Sequence, residues 1–495
     1  MESELEHLPS YSFDKEHLTR QLEIVKRAAD LAKDRIDYDS AHNESILMAI
    51  RIVEDFLRKK HRICYGGQAI NAYLPKEHKF YDPEYSIPDY DFFTPSQNQD
   101  VRLLAEELYK AGFVEVSARE GMHEGTIKLY VNFIPVADLT AIDARIYKTL
   151  SARASRFEGI TYIDANSLRM LMYLELSRPR GEVTRWEKVY ERLVLFNEFV
   201  PIKHKRSKKV SNHLTAEQTQ TILRYILQNE RMFAGGDLVP FYDHAVNKRE
   251  KVLSYLLDGK RPILFYSSEP SADAAQLRME LQLTSKPFIK TKVFYNQGLD
   301  VIPSIHVLHI SKGKKLIPLV FIIEQTACHS YLNLPITDTE MIGAGLSNHM
   351  LRVASMDTLI TLYFSLGFVQ NRFIDRGAMD ALANQLVEIS TKARKGPEMP
   401  IFQFLSIRCA GKQVTLPSLI RAKLKRMTVK KKGELRTILK EAEHFLGKST
   451  KHFLGKSAQK HFLERNALGK SVQKTKDYPR RVTVKRTQRK RIPKN

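Results

Sequence analysis

Apolar residues recur at helical spacing through the first sixty positions of the chain. The pattern predicts one helix over about residues 15–35 and a second over about 45–60. The second helix carries an apolar stripe that consists of Ile46, Met48, Ile50, Val53, Phe56 and Leu57. We therefore expect residues 1–60 to form a helical scaffold.

From residue 61 to about 150 the pattern changes to short apolar runs separated by turns. Runs of this length predict strands, and one longer periodic stretch predicts a helix near 100–111. The expected strands are 62–65, 87–94, 113–118, 126–133 and 136–142. Residues 61–150 are thus predicted to form a small unit of strands and helices.

Helical spacing returns over about residues 165–199, within a predicted helical extension and linker, 151–211. Thr184 and Glu187 have the spacing of a capping box for a helix that begins at Arg185. The basic, polar residues 203–211 are typical of a linker.

A second α+β domain is expected over 212–420, and the fold class is therefore α+β. The elements expected in it are strands at 262–266, 305–310 and 316–323 and a long helix near 348–366.

Charge is concentrated at the end of the chain. The net charge is +23, and residues 421–495 hold 25 of the 79 basic residues but only 5 of the 56 acidic ones. Such a segment binds polyanions by releasing counterions, which favours nucleic acid as a partner over a merely solvated charged face. The segment repeats the sequence His-Phe-Leu-Gly-Lys-Ser at residues 444–449 and 452–457. The Gly-Lys-Ser triplets lack the earlier glycine of a P-loop, so no ATPase site is expected. Repeats of this size cannot form a core, so we expect a tail that is disordered or helical only on a partner.

Composition is that of a soluble globular protein, with 43% hydrophobic residues and a mean hydropathy of −0.34. No apolar run approaches the roughly 18 residues that span a bilayer, so no membrane association is expected. Residues 1–9 lack the features of a secretory signal peptide. Cys64, Cys328 and Cys409 are few and widely spaced, which predicts neither a disulfide framework nor a zinc site and favours a reducing compartment.

The candidate catalytic and phosphate-binding residues occur in a definite order along the chain. An apolar strand leads into Gly66-Gly67-Gln68 and a helix, and later strands carry Asp89, Asp91 and Asp138. Two glycines ahead of a helix let the backbone approach a triphosphate and present N–H groups to it. Because side chains alternate along a strand, Asp89 and Asp91 should point to the same side.

Three carboxylates gathered at one place repel one another unless cations neutralise them, and hard oxygen ligands suit Mg²⁺ or Mn²⁺. The arrangement predicts two-metal nucleotidyl transfer, with Asp89 and Asp91 binding both ions. Asp138 would bind the ion that activates the attacking hydroxyl.

Two assignments stay open at this point. Asp143 competes with Asp138 as the third carboxylate, although its place at the end of a strand is typical of a helix cap. His123, in a glycine-flanked loop, either lines the pocket or has no role there.

The chain resembles the nucleotidyltransferase superfamily, and within it the poly(A) polymerase catalytic subunits of large DNA viruses of the mimivirus and poxvirus kind. The resemblance rests on residues 65–71, 87–93, 136–139, 171–179 and 185–188 and covers about 40–200 well. It implies a DNA polymerase beta-like catalytic domain with flanking helices and a second domain that is a degenerate copy, with Gly235-Gly236-Asp237 as a relic of its turn. The chain departs from many superfamily members at Gln68, where serine is usual, and in a longer gap between Gly67 and Asp89.

The resemblance also implies a substrate, an acceptor and partners. ATP would be the donor and an RNA 3′ end the acceptor. Among the basic residues that follow the catalytic unit, Lys188 is the preferred contact of the nucleotide, while Arg178, Arg185 and Arg192 either contact the triphosphate or the primer or are surface charges. A homodimer or a viral processivity factor is the expected partner. The expected location is the host cytoplasm, in a viral factory, with packaging in the virion or a nuclear role for the tail as alternatives. Two other functions remain: transfer of another nucleotide or to another acceptor, and a catalytically inactive RNA-binding subunit.

Overall fold

The computed structural model describes residues 15–202, 214–247, 263–284, 291–299, 301–335, 350–394 and 406–446. The chain divides into two compact units, Met1–Ile420 and Arg421–Asn495. No helix in these ranges is long and apolar enough to cross a membrane.

Two helices open the first unit, α1 (Lys15–Ala41) and α2 (Glu44–Lys60). The Asn43 side chain caps α2 by accepting a hydrogen bond from the Ile46 N–H. Helix α2 buries most of the predicted stripe, but Met48 is 44% exposed and does not belong to the core. Helix α1 lies almost wholly in solvent.

The elements that follow α2 in chain order are β1 (Ile63–Tyr65), α3 (Gly66–Tyr73), a 3₁₀ turn (Lys76–His78), β2 (Tyr90–Thr94), α4 (Gln97–Lys110), β3 (Val116–Glu120), β4 (Thr126–Val131), β5 (Ile134–Ala141), α5 (Ala144–Arg153), β6 (Ser155–Phe157) and β7 (Ile160–Tyr162). The strands form a seven-stranded sheet in the order β3-β4-β5-β2-β1-β7-β6. Its last two strands, β6 and β7, lie within 151–211, where the sequence predicts a helical extension and linker. Strand β2 runs parallel to β5 and antiparallel to β1. All five expected strands are present.

Two helices follow the sheet, α6 (Ala165–Leu176) and α7 (Trp186–Phe199). The predicted capping box is wrong, because Thr184 lies inside a 3₁₀ turn, Val183–Arg185, that runs into α7. Arg185 occupies the N-cap position of α7 and its side chain caps nothing.

The elements that follow α7 in the described ranges are α8 (Ala216–Gln228), β8 (Met232–Phe233), α9 (Leu238–Asn247), β9 (Ile263–Ser267), α10 (Pro270–Thr284), β10 (Lys292–Asn296), β11 (Ile305–Lys312), β12 (Lys315–Glu324), β13 (His329–Pro335), β14 (Met350–Ala354), α11 (Met356–Leu366), α12 (Arg376–Arg394), β15 (Cys409–Ala410) and α13 (Leu416–Leu446). Their strands form a second, eight-stranded sheet in the order β10-β11-β12-β9-β8-β14-β13-β15. The long helix expected near 348–366 is instead β14 followed by α11. Ser355 separates them and caps α11 through its side chain.

The second sheet repeats the topology of the first. Strand β9 runs parallel to β12 and antiparallel to β8, as β2 does with β5 and β1. Asp91 pairs in register with Asp138 in the first sheet. In the second sheet Ala234, which precedes Gly235, takes the place of Tyr65, which precedes Gly66. Ala234 donates its N–H to the Leu264 carbonyl, and Leu264 pairs in register with Phe321, so Leu264 and Phe321 correspond to Asp91 and Asp138. Apolar side chains therefore stand where the first sheet has carboxylates.

Two further expectations are corrected. Cys328 and Cys409, 81 residues apart, form a disulfide with Cα atoms 5.4 Å apart, where the sequence predicted no such pairing. Their spacing in sequence hides the contact because β13 and β15 meet only through the fold. The expected disorder of 421–495 is also wrong for its first part, since α13 extends to Leu446. The repeat at 452–457 lies outside the described residues.

Candidate active site

The glycine turn joins β1 to α3. Gly66 has φ +72°, a conformation that other residues adopt only with strain. A Cβ atom at Gly66 would collide with the Asp91 carboxylate, and one at Gly67 would collide with the Tyr81 hydroxyl. The N-cap residue of α3, Tyr65, makes no side-chain cap. Gly66 is therefore required by its backbone conformation and by the Asp91 carboxylate, whereas Gly67 leaves room for the end of the Tyr81 side chain, and Gln68 follows half-buried in the first turn.

Asp91 and Asp138 lie side by side. They are register partners on the parallel strands β2 and β5, which places their side chains on one face of the sheet. Asp89 lies just before the first residue of β2 rather than within the strand, and it is more exposed. The fold thus brings together the three carboxylates that the sequence singled out, with Asp89 at the solvent edge.

Burial, followed by the charges of neighbouring carboxylates, disfavours the ionised forms of Asp89 and Asp91. Burial, then the charges of Asp89 and Asp138, raise the pKa of Asp91 to about 7. The pKa of Asp89 is also raised, by removal from water and by the Asp138 charge. Negative charge at this face is therefore incompletely neutralised by the protein.

Lys128 is a member of the site that the sequence reasoning missed. It is the register partner of Asp138 on β4, and its ammonium forms an ion pair with Asp138 Oδ2. Partial burial lowers the pKa of Lys128, but the hydrogen bond to Asp138 and the three carboxylate charges raise it on balance. A lysine between Ile127 and Leu129 in a strand was the available signal.

The fit of the site to a divalent cation has two sides. Among the residues in the described ranges, no group of three or more His, Cys, Asp or Glu side chains is arranged to hold a metal ion. The Lys128 ammonium occupies one oxygen of Asp138. The other oxygen, Asp138 Oδ1, is buried and has no hydrogen-bond partner. An orphaned carboxylate oxygen beside two further carboxylates is a donor set that suits Mg²⁺ or Mn²⁺.

Asp143 has a different place in the structure. Its side chain caps α5, accepting a hydrogen bond of 2.8 Å from the Arg145 N–H. Hydrogen bonds from Arg145 lower the pKa of Asp143. Asp143 therefore has the structural role that its position at the end of a strand suggested, while Asp138 faces Asp91.

Helix α7 brings positive charge to the glycine turn, where Arg192 Nη1 lies 3.0 Å from the position of a Cβ on Gly67. The charge of Arg192, then partial burial and the charges of Arg185 and Lys33, lower the pKa of Lys188. Arg185 is balanced by Glu175 at 3.4 Å and Glu182 at 3.5 Å. Neither Lys188 nor Arg192 has a carboxylate within ion-pair distance in the parts of the chain that are described.

Two other candidates lie away from the carboxylates. Arg178 is buried against the second sheet near Tyr266 and His329, and burial lowers its pKa. The His123 side chain is 62% exposed and lies 3.6 Å from Glu182. Neither contacts Asp91 or Asp138.

Comparison with known proteins supports the resemblance seen in the sequence. Residues 51–182 match the family model described as poly(A) polymerase catalytic subunit. A provisionally named poly(A) polymerase catalytic subunit of Acanthamoeba polyphaga mimivirus is 26% identical over 257 residues, 48% of this chain and 43% of that protein. One of African swine fever virus is 30% identical over 168 residues, 33% of this chain and 35% of that protein. The matched region thus spans less than half the length of these relatives.

The fold comparison covers more of the chain. The crystal structure of the Megavirus polyadenylate synthase superposes with a TM-score of 0.65, covering 88% of this chain and 86% of that one at 19% identity. The similarity extends well beyond residues 51–182 and therefore includes the second sheet. It establishes the shared fold.

Proposed function

We propose that the chain is a template-independent poly(A) polymerase, which transfers AMP from ATP to an RNA 3′ end and releases pyrophosphate. The observation that carries the proposal is the register pairing of Asp91 with Asp138 directly beside the Gly66-Gly67 turn. Carboxylates for the reaction centre and a close-approach turn for phosphates are thereby placed next to each other. The family match over 51–182 contains all of these residues.

Asp89, Asp91 and Asp138 are the residues that would hold Mg²⁺ or Mn²⁺. When bound, the ions supply charge neutralisation at the transferring phosphoryl group and lower the pKa of the attacking hydroxyl. The buried, unpartnered Asp138 Oδ1 and the raised pKa of Asp91 are the features that support this assignment. Lys128 holds Asp138 in place on β5 and supplies positive charge at the site.

The triphosphate of the donor would lie along the glycine turn. The first N–H groups of α3 and the cations Lys188 and Arg192 offer it hydrogen bonds and charge. Gln68, in the first turn of α3, would contact the phosphates from its backbone. ATP rather than another nucleotide follows from the named relatives.

The excess positive charge of the second unit supports RNA as the acceptor. Residues 421–495 carry 25 basic and 5 acidic residues, which suits the backbone of RNA. A second copy of the chain or a viral processivity factor would complete the working enzyme. Its setting would be the host cytoplasm, in a viral factory, or the virion.

Primer extension tests the function. Purified protein with labelled oligo-RNA, Mg²⁺ or Mn²⁺ and each NTP in turn should lengthen the primer only with ATP. Asp91→Asn should abolish extension, whereas Asp143→Asn, a matched change of a carboxylate on the next segment, should retain it. A panel of tRNA, protein and small-molecule acceptors separates the other nucleotidyl transfers. RNA binding with no transfer to any acceptor would instead identify an inactive subunit and overturn the proposal.

A further inference from the structure

The segment between α3 and β2, residues 74–88, folds back over the glycine turn. This is the stretch whose length sets the chain apart from many superfamily members. Asn71 of α3 is buried, and its Oδ1 accepts hydrogen bonds from the N–H groups of Phe80 at 3.0 Å and Tyr81 at 3.4 Å. The backbone at Tyr81 is therefore anchored to the helix that begins at the turn.

The Tyr81 side chain ends directly on the turn. Its hydroxyl is the nearest atom to the position that a Cβ on Gly67 would occupy, and Arg192 Nη1 lies 3.0 Å from the same position. Tyr81 and Arg192 thus cover Gly67 together. A neutral hydroxyl and a guanidinium meet where the phosphates of a donor would approach the backbone.

Arg192 is held in place without a direct ion pair to any carboxylate in the described part of the chain. Its Nη2 donates a hydrogen bond of 3.0 Å to the Tyr81 hydroxyl, and its guanidinium lies 4.4 Å from the centre of the Phe80 ring. No carboxylate in the described ranges lies within ion-pair distance of it. Since a guanidinium binds phosphate far more strongly than a phenol, Arg192 is oriented by neutral groups and can exchange the Tyr81 hydroxyl for a phosphate oxygen.

We propose that Arg192 anchors a phosphate of the bound nucleotide and that Tyr81 is its placeholder. In the nucleotide-free protein the Tyr81 hydroxyl occupies the position beside Gly67 and Arg192 that a phosphate oxygen takes when the donor binds. The donor displaces Tyr81 by rotation of one side chain, because Asn71 fixes the backbone. Arg192 touches the substrate, whereas Tyr81 acts through Arg192 as a positioning residue. The inference rests on the proposed function in placing a nucleoside triphosphate at this turn.

The proposal makes the two residues energetically coupled. Before phosphate binds, Arg192 must release the Tyr81 hydroxyl, so that hydroxyl weakens binding of any phosphate ligand. Removing the hydroxyl while keeping the ring removes the competition. In a variant without the Arg192 guanidinium, the Tyr81 hydroxyl and the phosphate no longer compete for one donor. Removing the hydroxyl from that variant should therefore leave its affinity for phosphate unchanged.

Equilibrium binding without RNA measures this directly. The probes are ATP and inorganic tripolyphosphate, each with and without Mg²⁺, and adenosine as a ligand without phosphate. We expect Tyr81→Phe to bind ATP and tripolyphosphate about threefold to tenfold more tightly, the range for loss of one competing hydrogen bond. Arg192→Gln should weaken both by about tenfold or more. The double variant should bind as Arg192→Gln does, and adenosine binding should not change in any variant.

Tyr85→Phe is the matched control, since Tyr85 lies in the same segment, is 44% exposed and has its ring 5.7 Å from the Tyr38 ring, between centroids. It should leave binding of both phosphate probes unchanged. Weaker or unchanged phosphate binding by Tyr81→Phe would overturn the placeholder role, as would a gain that persists in the Arg192→Gln background. Absence of phosphate binding by the unmodified protein would overturn the inference entirely. Phosphate binding that follows the expected pattern in a protein that extends no RNA would instead refute the proposed function alone.

Discussion

At the scale of single residues, the site is an arrangement of charges that do not cancel. Asp91 and Asp138 lie side by side on β2 and β5. One lysine, Lys128, forms an ion pair with Asp138, and its charge also acts on Asp91. A protein optimised for stability alone would not bury this set, because unpaired carboxylates cost free energy. The excess negative charge therefore identifies the site better than any one residue does.

Asp91→Asn should stabilise the metal-free protein while it abolishes RNA extension. The folded-state pKa of Asp91, about 7, lies above its usual value of 3.8. For a carboxyl group this shift costs stability above the folded pKa, and the cost disappears as pH falls toward 4. In EDTA, the variant should exceed the unmodified protein in free energy of unfolding by about 1–3 kcal/mol at pH 7.5 and by much less at pH 4. Denaturant titrations at the two pH values measure this, and a destabilised variant at pH 7.5 would contradict it.

Lys128→Met should make the fold depend on divalent cations. The change leaves the Asp138 carboxylate beside Asp91 without its ammonium partner, at an expected cost of about 1–3 kcal/mol for a partly buried pair. Mg²⁺ should restore more stability in the variant than in the unmodified protein, because the ion replaces the lost charge. Thermal unfolding with EDTA and with Mg²⁺ tests this. Arg102→Met, which removes an exposed ion pair with Glu106, is the control and should show no such metal dependence.

At the scale of elements, the strand order and the glycine turn decide where chemistry can occur. The turn connects β1 to α3, and the Asp91 carboxylate packs against Gly66. This contact is possible only because β1 and β2 are neighbours and Gly66 adopts positive φ. In the second sheet β8 and β9 are likewise neighbours, but β9 and β12 carry the apolar residues Leu264 and Phe321 at the positions of the carboxylates.

Gly66→Ala tests the turn. The added methyl group meets both the unfavourable φ and the Asp91 carboxylate, so we expect a loss of about 2–4 kcal/mol in free energy of unfolding. Gly112→Ala is the matched control, because Gly112 has φ +96° with open space around its α-carbon and should lose only about 1–2 kcal/mol. Extension activity should disappear in the first variant and persist in the second. Equal losses of stability would show that Gly66 matters only for its backbone conformation.

The sequence predicts the local features of these elements and not the contacts between them. The five strands, Asp143 as a cap and the position of Asp138 in an apolar strand follow from spacing and flanking residues. Lys128 was missed because its role depends on the pairing of β4 with β5. Tyr81 and Arg192 are 111 residues apart, and nothing local indicates that they meet.

The wrong elements have a similar cause. The apolar residues of β14 and α11 follow one another without a long break, and the sequence pattern therefore predicts a single helix over both. Ser355 marks the boundary, but its role as a cap appears only when the preceding residues pair with β13. The Cys328–Cys409 disulfide likewise depends on the meeting of β13 with β15.

At the scale of the whole molecule, the residues of the candidate site and the excess positive charge are separated along the chain. The residues of the candidate site lie between Lys33 and Arg192, within the first unit. That unit, residues 1–420, carries 54 basic and 51 acidic residues. The remaining 75 residues carry nearly all of the excess positive charge. Affinity for RNA and capacity for transfer should therefore be separable.

Truncation after Ile420 should weaken RNA binding more than nucleotide transfer. Each phosphate that the second unit neutralises adds about 0.7 to the slope of log affinity against log salt concentration for single-stranded nucleic acid. The truncated protein should bind oligo-RNA with a much shallower salt dependence, and the full chain with Lys430, Lys431 and Lys432 changed to Gln should lie between the two. Both should still add AMP to a primer supplied at saturating concentration, because Asp91 and Asp138 are untouched. Binding isotherms at several salt concentrations measure the slopes, and an unchanged slope after truncation would mean that RNA is held by the first unit.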